Sequence, residues 1–162
     1  MLLHILRHAE ADALSPSGLD ADRALTEAGM KRMKLVARAI ARMEPELDAI
    51  FVSPLLRARQ TAEPVAAACR FKGEPTVTEA LLPGSDPATI LDELEAAGCN
   101  SVLVVGHEPH LGHLFGRLVS GRRDVEVPMK KAALAIFEIH PRLGTGRAEL
   151  KAYLPPRLLE RL

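Results

Sequence analysis

"MLLHILRHAE", residues 1–10, is a short apolar run that stops at two adjacent nitrogen-rich side chains, Arg7 and His8. The run from Leu2 to Leu6 has strand length, and similar runs recur at Ala49 to Val52, Val102 to Val105 and Leu134 to Ile139. They are continuously apolar rather than alternating, as strands are when a parallel sheet is covered by helices on both faces. This pattern predicts an α/β fold, a three-layer α/β/α sandwich with residues 1–10 as a central strand.

The segments between the runs carry helix signals. Thr26 can cap "TEAGMKRMKLVARAIARM" (26–43), in which Met30, Met33, Val36, Ala37 and Ile40 share one face at helical spacing. Asp86 followed by Pro87 starts a second helix that closes on Gly98, and "HLGHLFGRLVSG" (110–121) closes on Gly121. "ALAIFEIH" (133–140) and "AELKAYL" (148–154) read as a strand hairpin joined through "PRLGTG" (141–146). Residues 13–24, "ALSPSGLDADRA", form a polar loop near the end of the first strand, and the tail "PPRLLERL" is too short to assign.

Composition narrows the function classes. A chain of 162 residues, 48% hydrophobic, supports one domain over 1–162 with a substantial core, and it contains no repeat or low-complexity segment. Lys plus Arg number 21 and Asp plus Glu 21, so no bulk charge recruits nucleic acid or an acidic membrane, and a site for a charged ligand must be local. No apolar stretch reaches the roughly 18 residues of a membrane span, and no signal-peptide pattern opens the chain. Cys69 and Cys99 form neither a disulfide framework nor a C-x-x-C motif, and a cytoplasmic location is the simplest expectation.

The polar residues fall at three strand ends. Arg7 and His8 follow the first run, "SPLLRARQTA" (53–62) the second, and "GHEPHLGH" (106–113) follows "SVLVV". Ligands of open α/β sheets bind outside the carboxyl ends of the strands, so Arg7, His8, Arg57 and His107 can converge on one pocket. Two guanidiniums and two imidazoles, with no opposing carboxylate in their own motifs, suit phosphate. A neutral imidazole is a competent nucleophile toward phosphorus, which gives His8 that part, with Arg7, Arg57 and His107 stabilising the transferring group without a metal or other cofactor.

Rival chemistries fit less well. A cysteine phosphatase needs Arg six positions after its Cys, where this chain has Val105 and Pro75. An aspartyl nucleophile in "DADRA" would follow a loop instead of a strand. "HEPHL" misses H-E-x-x-H by one residue and Pro109 interrupts it, while G-x-x-x-x-G-K-[ST] is absent. His4, His110, His113 and His140 are expected in structural or rim positions.

The segments "LRHAEA", "LTEAG", "FVSPLLRARQTAE", "VLVVGHEPHL" and "KKAALAIFEI", in that order, resemble the histidine phosphatase superfamily, the phosphoglycerate mutase-like fold. Within it the likeness is to the small SixA-type phosphohistidine phosphatases. The resemblance implies a mixed, mostly parallel sheet, His8 as phosphoacceptor, and Arg7, Arg57 and His107 as the phosphate pocket. It also implies a general acid in "VTEALLPGSD", Glu79 first and Asp86 second. Ala9 departs from the usual Arg-His-Gly, so the backbone there does not require glycine.

Short connections throughout imply an open site suited to phosphohistidine on a partner protein, such as a phosphorelay phosphotransfer protein. The alternatives are a phosphatase of small phosphorylated molecules using the same covalent step, and a non-catalytic phosphate-binding domain.

Overall fold

The computed structural model describes residues 1–43, 45–140 and 148–162. Its strands are β1 (Leu2–Arg7), β2 (Ala49–Val52), β3 (Thr76–Val77), β4 (Ser101–Gly106), β5 (Leu134–Glu138) and β6 (Glu149–Leu154). Its helices are α1 (Glu27–Arg42), α2 (Leu56–Ala68), α3 (Pro87–Ala97), α4 (His110–Ser120) and the short α5 (Pro156–Leu159). The sheet order is β3-β2-β4-β1-β5-β6. The first four strands run parallel, and β5 and β6 add antiparallel pairings at one side. The predicted mixed, mostly parallel sheet and three layers are thus present, with β1 central.

Strand alternation feeds two cores. Leu6, Ile50, Val52, Leu103 and Val105 face one side, against Met33, Val36 and Ile40 of α1 and Ala58, Ala62 and Val65 of α2. Leu3, Ile5, Phe51, Val102 and Val104 face the other, against Ile90 and Leu94 of α3 and Leu111, Leu114 and Leu118 of α4. Burial on both faces explains why these runs do not alternate in the sequence. No described helix is long and apolar enough to cross a membrane.

The helix boundaries follow their caps. The Thr26 side chain accepts from the Gly29 N–H at 2.9 Å, and Asp86 accepts from Ala88 at 2.8 Å. Gly98 and Gly121 close their helices at φ of 63° and 75°, a conformation that favours glycine. One expected core residue is displaced: Met30 is 44% exposed. The buried stripe begins instead at Gly29, where a Cβ would lie 2.2 Å from the Glu10 carbonyl oxygen, and this close approach rotates Met30 toward solvent. β5 and β6 pair antiparallel as expected, while the connection "PRLGTG" lies outside the described residues.

Candidate active site

The carboxyl ends of β1, β2 and β4 lie side by side, because β4 pairs with both of the other strands. The backbone fixes residue 8 from two directions: its N–H donates to the Gly106 carbonyl at 3.1 Å, and its carbonyl accepts from Ala132 at 3.2 Å. Ala9, fully buried, donates to Thr61 Oγ1 at 3.2 Å, and Thr61 Oγ1 donates to the Arg57 carbonyl at 2.7 Å. One α2 hydroxyl therefore ties the His8–Ala9 turn to the turn that carries Arg57. Ala9 has no positive φ, consistent with the alanine there.

The His8 imidazole is held in a defined state. His8 Nδ1 lies 2.7 Å from the Ala9 carbonyl oxygen, which can only accept, so Nδ1 carries the hydrogen and Nε2 keeps its lone pair. The rings of His8 and His107 lie 4.9 Å apart at 51°. His107 Nε2 is 2.8 Å from Ser53 Oγ, and that oxygen also accepts from the Leu55 N–H at 3.4 Å. His107 Nδ1 is buried without a partner on the protein, and a Ser53 hydroxyl that donates to Nε2 would put the ring hydrogen on that atom.

Burial sets the charge of the two rings. It pushes His8 down to about 4, and the Arg57 and Arg7 guanidiniums push the same way against the Ala9 hydrogen bond. Burial, followed by repulsion from His8 and Arg57, pushes His107 down to about 3. Both rings are neutral at physiological pH.

The arginines are braced. Arg7 Nη1 donates to the Met129 carbonyl at 2.5 Å, while the Met129 N–H donates to Glu108 Oε1 at 2.9 Å. The 125–129 segment that carries this carbonyl lies against α4, where Gly112 and Gly116 leave room for it. A Cβ on Gly116 would fall 2.0 Å from the Val125 carbonyl oxygen, and Val127 donates to the Gly112 carbonyl at 3.0 Å. Arg57, 5% exposed, gives Nη1 to the Asp20 carbonyl at 2.9 Å and Nη2 to Asp20 Oδ2 at 3.0 Å. The fold thus brings the Asp20 carboxylate to Arg57, and Glu108, from the strand-end motif "GHEPHLGH" itself, favours the charge on Arg7, so the cluster is not unopposed as expected.

Arg7, His8, Arg57 and His107 occupy one sheet edge. Glu79 stands exposed on a single 3-10 turn (Glu79–Leu81) after β3, and its carboxylate makes no hydrogen bond or ion pair among the described residues. This turn packs near the end of β4, since a Cβ on Gly106 would lie 3.3 Å from the Leu81 carbonyl oxygen. Asp86 caps α3 and lies 3.7 Å from Arg117. Asp20, Glu108, Ser53 and Thr61 were not singled out as site residues from the sequence. Their contacts span 21 to 54 residues, and only the position of Glu108, Ser53 and Thr61 inside the strand-end motifs points to them.

Other clusters are separate from this edge. A hollow of about 790 Å³ lies beyond the opposite end of β2, among Leu47, Asp48 and Cys69, and contains none of these residues. Glu138, His140 and Glu149 bring potential metal-ligand atoms within 4.8 Å of one another. Lys151 Nζ already serves both carboxylates there, at 3.3 and 3.1 Å.

The comparisons with known proteins give the family and the fold. The model of the histidine phosphatase superfamily (branch 1) matches residues 3–82. An uncharacterised protein of Picosynechococcus is 36% identical over 94% of this chain and 90% of its own length. The Escherichia coli phosphohistidine phosphatase SixA is 33% identical over 75% of this chain and 76% of its own. A solved structure of the protein histidine phosphatase SixA complexed with tungstate superposes with a TM-score of 0.86, at 28% identity, over 97% of this chain and 98% of that one. The chain is a phosphatase that belongs to the histidine phosphatase superfamily, as a SixA-type member.

Proposed function

We propose that this phosphatase removes phosphate from phosphohistidine on a partner protein, through a covalent phosphohistidine formed on His8 and without a metal ion. The observation that carries the reading is the Nδ1 hydrogen bond of His8 to Ala9, which leaves Nε2 unprotonated among three donor groups. Nε2 attacks phosphorus; the new N–P bond forms as the bond from phosphorus to the substrate imidazole breaks. Arg7, Arg57 and His107 stabilise charge on the equatorial oxygens. Water then attacks the phosphoryl group on His8, releasing inorganic phosphate and restoring the imidazole. Two guanidiniums supply the positive charge that a metal would otherwise contribute.

Two observations support the substrate class. The relatives named for phosphohistidine align over most of this chain, and tungstate, a phosphate-like oxyanion, is bound by the SixA of that structure. His8 is only 7% exposed, so the approach to it is narrower than short connections alone suggest. A phosphohistidine side chain is slim enough to reach in. The exposed Glu79 is the proposed acid, a modest role here: an imidazole leaving group carries its proton on a remote nitrogen and depends less on an enzymic acid than an alkoxide does.

The test is hydrolysis of a phosphohistidine-bearing phosphotransfer protein, beside a small phosphomonoester, in excess chelator. Turnover of the protein substrate at an undiminished rate is expected. Loss of activity on chelation, restored by a divalent ion, overturns metal independence; preference for the phosphomonoester overturns the substrate class.

A further inference from the structure

Arg117 is the unusual cation of this molecule outside the catalytic edge. Its side chain is only 11% exposed, yet its guanidinium donates no hydrogen bond among the described residues. The nearest carboxylate, Asp86, is 3.7 Å away, and Asp86 Oδ1 already accepts from the Ala88 N–H at 2.8 Å. No Arg117 nitrogen is among the sealed, unpartnered polar atoms, so the guanidinium still opens to solvent with its donors available to an incoming oxyanion. Arg117 lines a recess of about 250 Å³ with Asp86, Pro87, His113 and Arg123.

The recess is short of acceptors. Among the described residues Arg123 forms no ion pair, since the nearby Asp124 is held by Arg122 at 2.6 Å. His113 Nδ1 is buried without a partner, and one turn earlier His110, 1% exposed, leaves both ring nitrogens unpartnered. One carboxylate thus faces two guanidiniums and an imidazole, in a space large enough for a carboxylate or phosphate group but small for a larger ligand.

We propose that this recess is a second oxyanion site, which takes an acidic group on the surface of the phosphohistidine-bearing partner. The placement rests on the function proposed above. Arg117 lies two turns beyond His110, about 10 Å along α4, and helical side chains lean toward the N-terminus, here toward the catalytic edge. A protein surface spans that separation, whereas a small phosphorylated molecule held at His8 does not.

The test separates the two readings. Arg117→Gln removes the charge without orphaning a hydrogen-bond partner, and Arg123→Gln, at an exposed position, serves as the second variant. Kinetics are measured on a phosphohistidine protein and on phosphoramidate. Arg117→Gln should raise KM for the protein about tenfold, roughly the value of one charge-assisted contact, and leave phosphoramidate turnover unchanged. Arg123→Gln should shift KM in the same direction by less. An unchanged KM for the protein, or equal rises on both substrates, overturns the proposal.

If the wild-type enzyme does not turn over the protein at all, the substrate reading fails, and binding decides the site. Inorganic sulfate is then titrated into Arg57→Gln protein while the His113 ring is followed by NMR. A saturable shift that disappears in Arg57→Gln/Arg117→Gln supports the oxyanion site. Absence of any shift at His113, or its persistence in the double variant, refutes it.

Discussion

Acidification should leave the His8 ring neutral far below the pH at which an ordinary histidine charges. Burial, reinforced by Arg57 and Arg7, sets its pKa at about 4 in place of 6.5. At pH 5, a group with pKa about 4 is roughly 90% neutral, whereas one at 6.5 is about 3% neutral, a near thirtyfold difference in available nucleophile. Substrate phosphate titrates near pH 6 and would blur a rate profile, so the ring itself is the better reporter. Long-range ¹H–¹⁵N spectra of histidine-labelled protein from pH 8 to 4, with His8→Gln for assignment, give both the midpoint and the tautomer. A midpoint near 4 with the hydrogen on Nδ1 is expected.

The same shift acts on stability. Between pH 6.5 and 4 the unfolded chain binds a proton at His8 that the folded chain does not, so stability is fully present above about 6.5 and falls with pH through about 4. The loss is on the order of 3 kcal/mol from this residue, and denaturant midpoints of His8→Gln should show a shallower decline. A ring that titrates near 6.5, or carries its hydrogen on Nε2, refutes the reasoning about burial and the Ala9 bond.

Three further outcomes follow from contacts around the site. Gly116→Ala forces a methyl onto the Val125 carbonyl oxygen, 2.0 Å away, and should cost about 1–3 kcal/mol in urea unfolding while loosening the segment that braces Arg7; an unchanged midpoint counts against that packing. Asp20→Asn removes a carboxylate that occupies part of the Arg57 fork but is itself largely exposed, so tungstate binding measured by calorimetry should tighten only about two- to fivefold; weaker binding would show that Asp20 chiefly positions Arg57. Glu79→Gln should slow a phosphomonoester more than a phosphohistidine protein, and equal losses in parallel rate measurements would contradict its role as the acid.

The features legible in the sequence are those with local causes. β1 and β4 announce themselves because both faces are buried, and α1, α3 and α4 because Thr26, Asp86, Gly98 and Gly121 cap them. α2 is harder to see: of its buried positions Arg57, Ala58, Thr61, Ala62 and Val65, two are polar and two are alanines, and Pro64 sits inside it. β3, two exposed residues long, owes its pairing to β2 rather than to its own pattern. The cationic quartet could be placed because each member sits at a strand end. Its braces could not: Asp20 reaches Arg57 across 37 residues, and Glu108 meets Met129 across 21. Only the folded packing of α4 against residues 125–129 makes the second contact.

Rapid quenching during turnover of a ³²P-labelled phosphohistidine protein tests the central claim most directly. An acid-labile, base-stable phosphoryl group mapped to His8 by mass spectrometry, formed and discharged at rates that account for turnover and absent from His8→Ala, is the predicted result. Wild-type turnover by His8→Ala, or hydrolysis without any phosphoenzyme at that residue, would contradict the account.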